Sequence, residues 1–216
     1  MKTVKTLRTY EADELIVEYD VTRCIHVEAC VRGLPTVFDP TRRPWIDPNL
    51  ATADAVAQVV RKCPTGALHY LRCTGAPEVP PERTEVRPEP DGPLYVHGRL
   101  RIRLPAGETT VETRVALWRC GASANKPFCD GAHEAAGFED AATEVPARLA
   151  AGTSEGAAVT VSFASDGPIL VAGPVTVCGA DASETTGWRG ALCRCGASET
   201  KPFCDGRHRT AGFKAD

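Results

Sequence analysis

Aromatic residues make up only 6% of this sequence, and methionine occurs once among 216 residues. So little bulky apolar material argues against one large core, and the length exceeds the commonest domain size of about 100 to 150 residues. More than one small unit is therefore expected. No stretch approaches the roughly 18 consecutive apolar residues of a membrane span. No excess of positive charge is present either: 25 Lys and Arg stand against 28 Asp and Glu, a formal charge of −3, and no Lys/Arg-rich run occurs. Without a basic field to collect phosphates, nucleic acid is excluded as the expected partner, and a membrane with it. The charged start, Met1 to Arg8, runs into Glu11, Asp13 and Glu14 rather than into an apolar segment, so it does not read as a secretory leader and the cytoplasm is the expected compartment. Also missing are a Ser-His-Asp arrangement, a phosphate loop and paired catalytic carboxylates, so the chain is not expected to be an enzyme. What the sequence does have is 10 cysteines, 19 glycines and 17 prolines. In a reducing compartment that much sulfur points to metal or redox chemistry rather than to disulfides.

An internal repeat organises the second half. Asp91-Gly92-Pro93-Leu94 returns as Asp166-Gly167-Pro168-Ile169, Arg119-Cys120-Gly121-Ala122-Ser123 as Arg194-Cys195-Gly196-Ala197-Ser198, and Lys126-Pro127-Phe128-Cys129-Asp130-Gly131 as Lys201-Pro202-Phe203-Cys204-Asp205-Gly206. One offset, 75, relates every pair without a gap, as duplication requires. The expected division is a first unit over 1–73, a Pro-rich linker over 74–90, a first repeat over 91–140, a connector carrying a strand over 141–165 and a second repeat over 166–216. Within the first unit, Leu15 to Tyr19 and Leu68 to Leu71 read as strands and Thr52 to Lys62 as a short helix. Each repeat opens with a short strand, at Pro93 to Val96 and at Ile169 to Val171. Each then turns into a cysteine-rich loop whose Asp starts a helical turn.

In the second repeat Cys193-Arg194-Cys195 is followed by Cys204 and His208. Three thiolates and an imidazole make four ligands, and both iron-sulfur clusters and zinc accept such a set. The surrounding residues are more specific. Cys195-x2-Ser198-x3-Pro202-x-Cys204-Asp205-Gly206-x-His208 resembles the CDGSH iron-sulfur family at every defining position, with Arg207 where that family usually has Ser. The resemblance implies a 2Fe-2S cluster with Cys193 and Cys195 on one iron and Cys204 and His208 on the other. It also implies a β-rich fold that family members build as an intertwined two-fold dimer. The first repeat keeps Cys120, Ser123, Pro127, Cys129, Asp130, Gly131 and His133 but has Trp118 where the first cysteine belongs. Tryptophan has no lone pair for a metal, so this second 2Fe-2S site is expected to be empty, weak, or completed by water or another donor. Cys73 and Cys178 are the unassigned thiols; each is a candidate donor or a small buried hydrophobe. His69 and His97 lie outside any ligand spacing, and Lys126 and Lys201 read as solvated lysines or as partners of cluster charge.

The first unit carries Cys24-x5-Cys30 and a remote Cys63-Pro64. Bacterial ferredoxins place a third cysteine midway, where Val27 stands here. Three thiolates leave one corner of a cuboidal cluster unligated, which favours 3Fe-4S, and His26, one place away, could hold a fourth iron. With Val37-Phe38-Asp39, Arg43-Pro44-Trp45-Ile46 and Cys63-Pro64-Thr65-Gly66-Ala67-Leu68, the segment resembles the divergent 4Fe-4S mono-cluster domain over residues 10–72. The expected cofactor is a 3Fe-4S or 4Fe-4S cluster, and the expected fold class is α+β: a ferredoxin-like domain followed by two CDGSH-like repeats that form one pseudo-two-fold unit. Histidine ligation raises a cluster's potential and couples it to protonation. The expected function is electron carriage between a reductase and an acceptor enzyme, by a chain that needs no second copy. Cluster transfer or redox and pH sensing, with an apo-protein acceptor as partner, is the first alternative, and a zinc-stapled interaction module the second.

Overall fold

The computed structural model describes residues 7–73, 78–143, 145–153 and 158–215. The chain divides into two compact units, with the boundary between Val79 and Pro80. In the first unit β1 (Leu7–Glu11), β2 (Leu15–Asp20) and β3 (Leu68–Arg72) form an antiparallel sheet in sequence order. The alternation in β2 sends Leu15, Val17 and Tyr19 into the core, where Leu68 and Tyr70 of β3 join them. Helix α1 (Ala29–Gly33) is barely more than one turn. Helix α2 (Ala53–Val60) starts where Thr52 accepts a hydrogen bond from the Ala55 amide, and it buries Val56, Ala57, Val59 and Val60. Each valine so buried contributes about 1.5–3 kcal/mol. The helix fixes the position of Cys63, just beyond its end.

The second unit holds β4 (Thr84–Pro88), β5 (Leu94–Arg103), β6 (Thr109–Leu117), β7 (Val159–Phe163), β8 (Ile169–Cys178) and β9 (Glu184–Leu192) in one sheet. Helix α3 (Ala132–Ala135) and a 3-10 turn at Arg207–Arg209 follow the two cysteine loops. Strand β4 pairs antiparallel with β5 and parallel with β8, and β7 pairs antiparallel with β8 and parallel with β5. The repeat offset governs this pairing too. Thr84 lies opposite Val175 and Leu100 opposite Val159, and Thr84 and Val159 are 75 apart, as are Leu100 and Val175. Each copy thus lends a short strand to the other's long one. The interior is a single apolar cluster drawn from both repeats, including Val86, Leu100, Ile102, Val161, Val175 and Phe203.

The outcome differs from the sequence expectation in two ways. The expected α+β class is met only in its β-rich part: the fold is mostly β with few helices, because outside α2 the helical segments are only three to five residues long. Of the expected linker over 74–90, residues 74–77 lie outside the described residues, and 84–88 form β4, a strand of the repeat itself. Proline obscures it: Pro88 stands at the strand's last position, where a missing N–H costs little, while Thr84, Val86 and Pro88 alternate inward. In the connector over 141–165, residues 144 and 154–157 lie outside the description and β7 occupies the end.

Candidate metal centres

In the first unit, Cys24 lies in the loop after β2, Cys30 in α1 and Cys63 just after α2. All three line one cavity of about 30 Å³, together with His26, Val27, Pro64 and Thr65. The cavity is locally braced. Thr65 Oγ1 lies 3.5 Å from Cys63 Sγ and accepts from the Ala67 amide, while the buried Arg23 donates through Nη2 to the Thr65 carbonyl at 3.2 Å. His26 and Glu28 adopt left-handed φ values of 57° and 62°, which wrap the loop around the cavity. Burial, with Cys63 nearby, pushes the Cys30 thiol up to about 11. Tyr19 is pushed up by burial and by its hydrogen bond with Cys24. The donor set is three sulfurs around one small, largely apolar pocket, a chemistry that suits a cuboidal cluster with one corner left to His26 or to a molecule from outside.

The second-repeat loop begins where β9 ends. Cys193 Sγ and Cys195 Sγ are 3.7 Å apart, and Cys204 Sγ is 3.4 Å from His208 Nδ1. Two donors bound at about 2.3 Å to one tetrahedral metal stand roughly 3.7 Å apart, and somewhat less when one is nitrogen. The four residues are thus gathered as two pairs, each spaced to hold one metal. Among the described residues no three His, Cys, Asp or Glu side chains gather on one metal position. Ser198 and Asp205 are not ligands but fasteners. Ser198 Oγ donates to the Phe203 carbonyl at 2.7 Å and accepts from the Thr200 amide, while Asp205 accepts from the amides of Glu199 and Arg207. The bond from the Glu199 amide holds the Asp205 carboxyl below the usual carboxylate range. Gly206, at φ 93°, turns the chain so that His208 faces Cys204.

The first-repeat loop repeats these fastenings. Ser123 Oγ donates to the Phe128 carbonyl at 2.7 Å, Asp130 accepts from the amides of Ala124 and Ala132, and Cys129 Sγ lies 3.3 Å from His133 Nδ1. Cys120 Sγ accepts from the Ala122 amide at 3.4 Å. Burial pushes the Cys129 thiol up to about 11. The Trp118 amide donates to the Pro127 carbonyl as that of Cys193 does to Pro202, so only the side chain differs. That side chain is fully buried, with Phe213 at 5.6 Å, Lys126 Nζ at 5.2 Å and the Arg194 guanidinium at 5.6 Å. Among the described residues its indole Nε1 has no hydrogen-bond partner. This repeat therefore holds one complete Cys-His pair and half of the other.

The two loops are neighbours. A Cβ on Gly121 would lie 3.6 Å from the Cys195 carbonyl, and one on Gly196 would lie 3.7 Å from those of Arg119 and Cys120. Two residues the sequence did not single out brace these loops. The buried Arg119 donates to the Gly92 carbonyl at 2.7 Å and pairs with Asp140, and the buried Arg194 donates to the carbonyls of Gly167 and Ala164. Both tie a ligand strand to the turn that opens its own repeat. Their signal in the sequence was repetition at the common offset, beside the more conspicuous cysteines. Cys178 sits at the end of β8 with its sulfur 4.0 Å from Glu184, Cys73 is exposed, and His69 pairs with Glu78 at 2.9 Å. Lys201 donates to the Ser198 carbonyl.

Comparison with known proteins finds family matches in both units. Residues 10–73 match the divergent 4Fe-4S mono-cluster family, and residues 91–134 and 166–209 each match the iron-binding zinc finger of CDGSH type. The uncharacterized protein YjdI of Escherichia coli, in strain K12 and in O157:H7, is 36% identical over 63 residues, which are 29% of this chain and 83% of the relative. No solved structure matches the chain.

Proposed function

Since the chain belongs to the divergent 4Fe-4S mono-cluster family through residues 10–73 and to the CDGSH type of iron-binding domain through residues 91–134 and 166–209, we propose that it is a multicentre iron-sulfur protein carrying electrons from a reductase to an acceptor enzyme. The observation that carries this reading is the pairing of donors in the second repeat: Cys193 with Cys195 at 3.7 Å, and Cys204 with His208 at 3.4 Å. Two pairs suit two irons bridged by sulfide, whereas a zinc staple needs four donors around one ion. Cys24, Cys30 and Cys63 would hold a 3Fe-4S or 4Fe-4S cluster, and Cys120, Cys129 and His133 an incompletely ligated 2Fe-2S centre. Such clusters supply one-electron redox chemistry, and neutral imidazole in place of thiolate raises the potential of the His-ligated centre above that of an all-cysteine one. Contact between the two ligand loops supports electron exchange within the second unit.

The reciprocal strands support a pseudo-two-fold unit in which one chain does what a CDGSH dimer does with two, so the working form is a monomer. No helix among the described residues is long and apolar enough to cross a membrane, and the chain acts in the cytoplasm on protein redox partners. One observation favours a second reading, cluster transfer or sensing: Cys195, Cys204 and His208 are only half-buried, so protons and an acceptor protein reach the ligands. Stopped-flow reduction and reoxidation, compared with the rate of cluster loss to an apo-acceptor, separates the two. Electron cycling much faster than transfer is expected. Transfer that outruns cycling would replace the carrier reading with the alternative.

A further inference from the structure

The pocket lined by Cys24, Cys30 and Cys63 is not closed on all sides. Cys24, His26 and Cys30 also line a second, larger cleft of about 480 Å³, whereas Cys63 lines only the small cavity. The cleft therefore adjoins the cluster pocket on its Cys24–Cys30 side, the stretch of chain where the ferredoxin spacing lacks its third cysteine. A volume of this size is that of a small-molecule site. Three aromatic rings form its wall, those of Tyr10, Tyr19 and Trp45. The wall is already set: Trp45 stands edge-on to Tyr19 at 5.0 Å and tilted against Phe38 at 6.2 Å. The charged lining is Arg8, Arg43 and Glu28. Glu28 is answered by Arg32 at 3.3 Å, and Arg43 is fastened through Nη1 to the carbonyls of Pro40 and Arg42. Two guanidinium groups thus give the cleft a positive balance, beside flat apolar walls.

Resting on the reading that the three cysteines hold a cluster, we propose that this cleft binds a small planar aromatic carboxylate beside that cluster. The ring lies among Tyr10, Tyr19 and Trp45, and the acid is matched to Arg8 and Arg43. Aromatic walls favour a flat ring over an aliphatic chain, and guanidinium is the side chain whose fork fits a carboxylate. Because the cleft shares Cys24 and Cys30 with the cluster pocket, occupancy would change the surroundings of that cluster and make its electronic state sensitive to the ligand.

The test is calorimetric titration of the anaerobically purified full chain with 2-naphthoate, with the EPR spectrum recorded before and after and iron and sulfide counted on the same sample. Saturable one-to-one binding is expected, with a shift of the signal from the N-terminal cluster. The neutral analogue 2-naphthalenemethanol should bind about tenfold more weakly, as should 2-naphthoate to Arg8→Gln, since losing one charge-assisted contact costs about 1.4 kcal/mol or more. Equal affinity for acid and alcohol, or no saturable heat from a chain whose counts show the N-terminal cluster in place, overturns the proposal. A chain that binds the acid but contains no N-terminal iron and sulfide keeps the cleft and overturns the cluster reading instead.

Discussion

One side chain makes the two CDGSH loops unequal. Trp118 keeps the backbone bond of its counterpart Cys193 but fills the space with an indole that is fully buried and whose N–H meets no acceptor. Replacing the thiol by this ring removes a ligand while leaving Cys120, Cys129 and His133 in place, so the loss is expected to be reversible. Trp118→Cys should raise bound iron by up to about two atoms per chain, the content of one 2Fe-2S centre, as iron counting would show. In the cluster-free state the same change empties a large core position and should cost about 3–5 kcal/mol in denaturant unfolding. Trp118→Phe keeps most of the ring and discards the orphaned N–H, so it should be far less costly. His208→Cys should keep a cluster but make it harder to reduce and less acid-labile, because a thiolate adds negative charge and resists protonation near neutral pH. Unchanged acid lability in that variant would show that histidine protonation is not the release step. Burial also sets a pH window. Cys30 and Cys129 have their ordinary value of 9.0 raised to about 11 when folded without metal. A raised thiol favours the protonated folded form, so its contribution to stability is complete below about pH 9 and is lost as pH rises toward 11. The melting temperature of the cluster-free chain should fall across that window, and a flat profile would contradict the burial of these thiols.

At the scale of elements, the exchange of short strands between repeats depends on close approach. The long strands β5 and β8 each change partner halfway along, at irregularities in the register between His97 and Leu100 and between Ala172 and Val175. At Gly173, φ is +131° and a Cβ would meet the Ala158 carbonyl at 2.7 Å and the Val159 Cα at 2.9 Å. Gly173→Ala should therefore destabilise the second unit by about 1–3 kcal/mol, through overpacking against the backbone of β7. Differential scanning calorimetry reads this directly. The same feature explains what the sequence hid. Strand starts at Leu94 and Ile169 were legible from alternation bounded by Gly and Pro, but Gly98 and Gly173 interrupt that alternation and made ten-residue strands look short. Strand β4 was invisible for a different reason: Thr84 to Pro88 shares only Val86, matching Val161, with Val159 to Phe163 and is flanked by prolines, so neither repeat nor propensity marked it. The candidate donors stood out because cysteine and histidine at such spacings have few other uses. Arg119 and Arg194 were not singled out, because a buried arginine is recognisable only once the carbonyls it reaches are in place. The cleft was hidden because its walls come from β1, β2 and the loop around Trp45, which are distant in sequence.

For the whole molecule, the arrangement is one small unit with three cysteines around one small pocket, joined to a duplicated unit whose two cysteine loops are neighbours. On the proposed reading, histidine ligation in the duplicated unit and a mainly thiolate set in the first would spread the potentials and give electron flow a direction. The duplication also implies that the second unit needs no partner copy, and sedimentation of the full chain should show a monomer. Everything rests on the claim that these donors hold iron-sulfur clusters in both units. Its most direct test is anaerobic purification with iron, zinc and acid-labile sulfide counted per chain and EPR recorded on the oxidised and reduced samples. The account predicts sulfide together with about two irons from the Cys193, Cys195, Cys204 and His208 site and three or four more from the Cys24, Cys30 and Cys63 site, with two distinguishable signals. Zinc without labile sulfide would contradict it.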